Sequence, residues 1–177
     1  MEFEKVFKAN YLSHIKYKDG KPKVRSDKDF RIQWNKPLVI IVNEISASAS
    51  EIFAAAMQDY NRAVVIGSKQ TYGKGTVQNV IPMENQKSTL KITTASYWRP
   101  SGKNIHRSED AKEDDEWGVS PDTSFELKLT TEQQIEVMRY RNLRDRKNIG
   151  GNVDAELKNV DDPQLRNAID YLESLIK

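Results

Sequence analysis

Leu38-Val39-Ile40-Ile41-Val42 is an unbroken aliphatic run dominated by β-branched residues, opened by Pro37 and followed closely by Ser46-Ala47-Ser48-Ala49-Ser50-Glu51. A strand with one wet face alternates polar and apolar side chains; a continuous run predicts a strand covered on both faces. The next residues, Ile52-Phe53-Ala54-Ala55-Ala56-Met57, are alanine-rich and predict a helix reaching about Tyr60. A second buried strand is expected at Ala63-Val64-Val65-Ile66, then a loop from Gly67 to Gly75. Strand, helix and strand in that order predict a βαβ unit with a right-handed crossover, and therefore an α/β fold.

The flanking segments are less regular. Phe3, Val6, Phe7 and Tyr11 recur near helical spacing, so residues 1–16 are expected to form an amphipathic helix. Lys18-Asp19-Gly20-Lys21-Pro22 predicts a turn between short extended pieces. Thr76 to Ile81 and Thr89 to Trp98 read as strands, joined by Glu84-Asn85-Gln86 and closed by Pro100-Ser101-Gly102. The acid-rich run between Ser108 and Glu116 predicts a solvated loop. From Thr130 to Lys147 a charged helix is expected, then a break at Gly150-Gly151-Asn152. Asp162-Pro163 offers an N-cap followed by proline at the first helical position, ahead of the apolar stripe Leu165, Ala168, Ile169, Leu172 and Ile176. The expected divisions are an N-terminal helix at 1–16, an α/β part at 17–129 and a helical extension at 130–177.

Composition narrows the chemistry. With 28 Lys+Arg against 26 Asp+Glu the net charge is only +2, which gives no global field for nucleic acid or an anionic membrane. Arg139, Arg141, Arg144, Arg146 and Lys147 cluster, but acids are interspersed and Tyr140 is the nearby aromatic; a solvated face is expected and no nucleic-acid partner. No stretch approaches the roughly 18 apolar residues of a spanning helix, and the first residues carry acids and lysines where a signal peptide would have its apolar core. A cysteine count of 0 excludes disulfides, thiolate metal sites and a cysteine nucleophile. His14 and His106 lie far apart in the chain, which supplies a histidine triad or a zinc centre poorly.

Ser48 and Glu51 stand in the S-x-x-E relation of a capping box, and taken alone the hexapeptide reads as a helix start. A serine nucleophile in this chain would need a base other than cysteine or histidine, and a desolvated lysine is the established alternative. Lys74 is one candidate: Gly73 and Gly75 flank it, and their missing Cβ atoms allow backbone and substrate to come close. The same loop does not cradle a phosphate, because Gly67-Ser68-Lys69-Gln70-Thr71-Tyr72-Gly73-Lys74-Gly75-Thr76 departs from the order G-x-x-x-x-G-K-[ST]. Gln78 follows Lys74 by four residues, so on a strand the two would share a face.

The ordered set Ser46-Ala47-Ser48-Ala49-Ser50-Glu51-Ile52-Phe53-Ala54-Ala55-Ala56-Met57-Gln58-Asp59-Tyr60, Arg62-Ala63 and Thr71-Tyr72-Gly73-Lys74-Gly75-Thr76-Val77-Gln78 resembles the C-terminal processing proteases, also called tail-specific proteases. The resemblance extends through Leu90-Lys91-Ile92-Thr93-Thr94-Ala95, Trp98-Arg99-Pro100-Ser101-Gly102 and Gly118-Val119-Ser120-Pro121-Asp122, about residues 17 to 125. It implies Ser48 as nucleophile, Lys74 as general base and Gln78 as the residue that orients the lysine, with Ser46 and Ser50 left structural. The amide of Ala49 would then be one oxyanion donor at a helix start. The capping role is expected to pass to Ser46 or Ser50, or to persist at Ser48 only in the resting state. Asp59, further along the same helix, is read as structural rather than as a distant acid of the site.

The fold implied is a crotonase-like α/β serine protease core with mixed β-sheets, of which 17–129 would be the C-terminal part, plus the helical extension. The reaction implied is peptide-bond hydrolysis through an acyl-enzyme, without metal or organic cofactor, on proteins or peptides with apolar C-terminal tails. The family resemblance also implies a periplasmic or membrane-associated, extracytoplasmic setting for the parent protein. The family's PDZ domain and glycine-rich oxyanion segment have no counterpart before Pro37. This chain is accordingly expected to be a piece of the protease, inactive alone and able to self-associate through an exposed core face. The alternative reading is a non-catalytic peptide-binding module on the same fold.

Overall fold

The computed structural model describes residues 13–17, 20–25, 32, 34–84, 87–112, 114–147 and 161–176. Among the described residues nine longer elements follow in chain order: β1 Ser13–Tyr17, β2 Pro22–Arg25, β3 Val39–Val42, α1 Ala49–Asp59, β4 Val64–Gly67, β5 Thr76–Pro82, β6 Thr89–Trp98, α2 Thr131–Lys147 and α3 Pro163–Ile176. A short 3-10 turn, Thr123–Phe125, precedes α2.

β3 and β4 pair in parallel, from Val39 opposite Val64 to Val42 opposite Gly67, with α1 as the crossover between them. This is the expected βαβ unit. Its core holds Val42, Ala54, Ala55, Val65, Ile105 and Val119, with Ile40, Ile52 and Tyr97 packed against them. Val65 and Ile66 are fully buried, each worth about 2 kcal/mol of apolar transfer. Three consecutive alanines, Ala54 to Ala56, have no exposure, so small side chains let α1 settle close to the strands. Val39, Ile40 and Ile41 are only half-buried, less covered than the unbroken aliphatic run suggests.

The second sheet has the order β2-β1-β6-β5 and is antiparallel throughout. It corrects one expectation: the helix foreseen through residue 16 gives way to strand β1 from Ser13 onward, while 1–12 lie outside the described residues. The helical spacing of Phe3, Val6, Phe7 and Tyr11 does not continue there. Ser13 and Ile15 are buried on one face while His14, Lys16 and Tyr17 are not, and both edges of β1 find strand partners. At the far end of the β5–β6 hairpin Val80, Ile81, Leu90 and Ile92 are exposed.

α3 packs back onto β3 and β4. Its start is as expected: the Asp162 carboxylate accepts the Leu165 amide at 3.0 Å and pairs with Arg141 of α2 at 3.1 Å. Phe125 meets Tyr171 edge to face at 4.9 Å. Ala168 is buried and Ile169 and Ile176 are exposed, so the apolar stripe is covered only in part. The expected break at 150–152 lies outside the described residues.

Candidate active site

The C-terminal end of β3 and the N-terminal end of α1 are joined by residues 43–48. Asn43 organises the turn: its side-chain Oδ1 accepts the Ser46 amide at 3.1 Å, and its own amide donates to Ser46 Oγ at 3.1 Å. Ser50 Oγ donates to the Ala47 carbonyl at 2.8 Å. Neither serine takes over the capping of α1. Of the two expected arrangements the structure has the second: Ser48 is the N-cap and Glu51 its capping-box partner, with Glu51 Oε2 accepting the Ser48 amide at 2.7 Å.

Ser48 is an unusual cap. It has φ 60° and ψ −115°, whereas N-cap residues ordinarily lie in the β region. Capping does not require a positive φ, and a residue with a Cβ is strained there. Ala49 follows as the first residue of α1, and its amide is one of those a helix cannot pair internally. The turn therefore presents a half-buried serine and a free-facing helix start at the mouth of a parallel pair.

The Glu51 side chain has no exposure, although its helix starts at the surface. Its carboxylate collects four donors. Oε2 accepts the amides of Ser48 at 2.7 Å and Lys74 at 2.9 Å; Oε1 accepts the Thr71 hydroxyl and the Gly73 amide, each at 2.6 Å. Ser48 and Lys74 are thus joined through one oxygen atom, so their amide nitrogens lie no farther apart than those two hydrogen bonds laid end to end. Further bonds fix the loop: the Tyr72 amide donates to the Ser46 carbonyl at 3.0 Å, and Thr71 Oγ1 accepts the Val119 amide at 2.9 Å.

Lys74 is exposed and lies in the loop ahead of β5, not on the strand. This corrects the expectation that Lys74 and Gln78 share a strand face. The amides of Gly73 and Lys74 are committed to Glu51 instead of a strand ladder. Gln78 does lie on β5, exposed and opposite Thr93, just after a register shift that leaves Val77 opposite Ala95. Such a shift turns the strand locally. Among the described residues no hydrogen bond joins the Ser48 hydroxyl, the Lys74 ammonium and the Gln78 amide.

The glycines beside Lys74 serve the chain's own packing. A Cβ on Gly73, at φ 88°, would meet Arg107 Cβ at 2.6 Å and Trp117 at 2.7 Å, and one on Gly75 would run into the His106 backbone. The Gly73 carbonyl accepts the Arg107 amide at 2.9 Å, and His106 Nδ1 lies 3.3 Å from it. At the other end of α1, Asp59 accepts Arg99 Nη2 at 2.6 Å and the Ser101 amide at 2.9 Å, a clamp about three helical turns from Ser48. Sequence reasoning gave Glu51 only its local capping role and did not identify Thr71 or Gly118 as parts of the site. A glutamate followed by an apolar helix face was the available signal.

A model of peptidase family S41 matches residues 3–125 of this chain. The chain is 43% identical over 94 residues to a carboxy-terminal-processing protease of Bartonella bacilliformis, covering 53% of this chain and 19% of that protein. It is 33% identical over 123 residues to the carboxy-terminal processing protease CtpA of Bacillus subtilis, covering 69% and 24% respectively. With a tail-specific protease of Haemophilus influenzae the identity is 55% over 87 residues, covering 45% of this chain and 12% of that protein. Among solved structures, the photosystem II D1 C-terminal processing protease superposes with a TM-score of 0.54 at 30% identity, over 68% of this chain and 30% of that one. The chain thus spans about a fifth of the length of the curated relatives it matches.

Proposed function

This chain belongs to peptidase family S41, and from that premise we propose that it carries the catalytic centre of a serine endopeptidase acting on proteins selected by apolar C-terminal tails. On this reading its fold is crotonase-like. One observation carries the reading: Ser48 holds φ 60° at the start of α1, a conformation that capping does not call for. Strain of this kind, about 1–3 kcal/mol, persists where surrounding structure over-determines it, and it concentrates at active sites. A strained turn between a strand and a helix lifts a nucleophile clear of its neighbours, and Ala47 and Ala49 on either side leave room for a peptide.

In this mechanism the neutral Lys74 amine removes the proton from Ser48 Oγ as the oxygen attacks the scissile carbonyl carbon. The carbonyl oxygen, now negative, accepts the Ala49 amide at the positive end of the α1 dipole. Collapse of the tetrahedral species expels the amine, which takes the proton from Lys74, and leaves an ester on Ser48. Water, deprotonated by Lys74, then attacks that ester; the C–Oγ bond breaks, Ser48 Oγ takes the proton back from Lys74, and the new carboxyl end leaves. Gln78 orients the lysine amine through its side-chain amide. Ala49 is the oxyanion donor this reading assigns, and loss of such a donor lowers turnover by about 100- to 1,000-fold.

The test is peptide cleavage by a longer S41 protein containing this chain, with Ser48→Ala, Lys74→Arg and Lys74→Ala variants. All three should abolish turnover, because arginine keeps its proton at any usable pH. Full activity in Lys74→Arg would refute a lysine base. Peptide binding without cleavage in the wild type would favour a non-catalytic module.

A further inference from the structure

We infer that Glu51 is a positioning residue, a buried bracket whose carboxylate fixes the spacing between the turn that bears Ser48 and the loop that bears Lys74. The inference rests on the Ser48/Lys74 reading above and adds a residue that reading does not use. A capping box needs one carboxylate oxygen and one amide. Glu51 offers that and then takes three further donors, Lys74, Gly73 and Thr71, from a loop remote in sequence.

The chemistry of the pocket suits an ionised carboxylate. All four partners donate, two to each oxygen, which matches the acceptor capacity of the charged group. Burial of an isolated carboxylate is costly; here four donors and the positive end of α1 offset it. Gly118, at φ 55°, closes the pocket, since a Cβ there would lie 3.0 Å from Glu51 Oε1. Oε2 matters most. It touches both the nucleophile's own amide and the base's own amide, so any drift of the Lys74 backbone away from Ser48 must first break a charge-assisted bond. A misplacement of about 1 Å between reacting groups costs about 100-fold in rate.

Glu51→Gln probes this with little change of shape. Wherever its NH2 points it faces a pair of donors, so part of the bracket must open. Hydrogen exchange in the 177-residue wild type should show the Ser48 and Lys74 amides protected to the same degree, although neither belongs to a helix or strand ladder. Glu51→Gln should speed both by about 10- to 100-fold, the range expected for losing a bond to a charged group, while Val65 stays protected. In a longer S41 protein containing this chain, labelling of Ser48 by an alkyl fluorophosphonate should slow about 100-fold in Glu51→Gln. In a Lys74→Met background the same substitution should slow it far less, because the part Glu51 plays through Lys74 is already gone.

Unequal or absent protection of the two amides in the wild type overturns the bracket, and decides the matter alone should Glu51→Gln not fold. Equal slowing with and without Lys74 also overturns it, since a merely structural glutamate would behave that way. Absent labelling in the wild type, or unchanged labelling in Lys74→Met, overturns the Ser/Lys reading instead, and with it the catalytic meaning of the bracket.

Discussion

Replacing Ser48 with glycine should make the chain more stable, although it removes a hydroxyl and an N-cap. Ser48 sits at φ 60°, ψ −115°, and a backbone of that kind costs a residue with a Cβ about 1–3 kcal/mol. Glycine enters it freely. Against the relief stand the extra entropy that glycine loses on folding, about 0.5–1 kcal/mol, and a few tenths for exchanging serine for glycine at an N-cap. The net expectation is a gain of about 1 kcal/mol, or roughly 2–4 °C in Tm for a chain of this size. Ser48→Ala keeps the strain and loses the cap, at a cost of about 0.5–2 kcal/mol. Urea unfolding of the three proteins, with equal m-values as the condition for comparison, should therefore rank glycine above serine above alanine. Ordinary capping without strain ranks serine first. A Ser48→Gly protein no more stable than wild type would refute the stored strain, and with it the observation on which the nucleophile assignment leans.

Three further outcomes follow from the surrounding contacts. Asp59→Ala removes the carboxylate from an Arg99 side chain only 12% exposed, leaving its charge with the neutral acceptors Gln58 Oε1 and the Gly118 carbonyl, and should lower stability by about 3 kcal/mol in urea unfolding while leaving protection of the Ser48 and Lys74 amides unchanged; a loss under about 0.5 kcal/mol would mean the clamp is incidental. Gly75→Ala forces a Cβ onto the His106 backbone and should destabilise by about 1–3 kcal/mol, with amide shifts at Lys74 and His106; an unchanged spectrum would contradict that close approach. Glu116 titrates below the ordinary carboxylate value because Lys103 bonds it at 2.7 Å, and Lys103→Met should move its NMR titration upward. Because the folded value is depressed, whatever stability the pair adds is present above the unfolded value and lost as pH falls through the folded one; identical titrations in the two proteins would rule out the link.

The βαβ unit was legible because its information is local. Five aliphatic residues, a small-residue helix and a second aliphatic run specify strand, helix and strand without reference to the rest of the chain, and β3, α1 and β4 lie where that pattern puts them. The hairpin of β5 and β6 was legible for the same reason. β1 was not, because Ser13 to Tyr17 carries too few apolar residues to outweigh the helical spacing before it; pairing with β6 and β2 decides its state. Lys74 was displaced from its expected strand by hydrogen bonds to a residue that precedes it by a helix and a strand, and spacing along the chain has no access to those.

The letters S-x-x-E describe two different objects here, and only the backbone separates them. In a plain capping box the serine lies in the β region and the glutamate closes one local bond. Here the serine lies at positive φ and the glutamate closes four bonds, three of them to residues 71–74. The two departures depend on each other. Glu51 is fully buried, so its carboxylate occupies one place between α1 and the loop, and the Ser48 amide reaches Oε2 at 2.7 Å from the strained conformation. If the bracket holds the strain, relaxing the bracket should let Ser48 return toward the β region. The stability gained by Ser48→Gly should then shrink in a Glu51→Gln background, a double-mutant coupling that independent sites would not show. A full and undiminished gain there would mean that something other than Glu51 keeps Ser48 at positive φ.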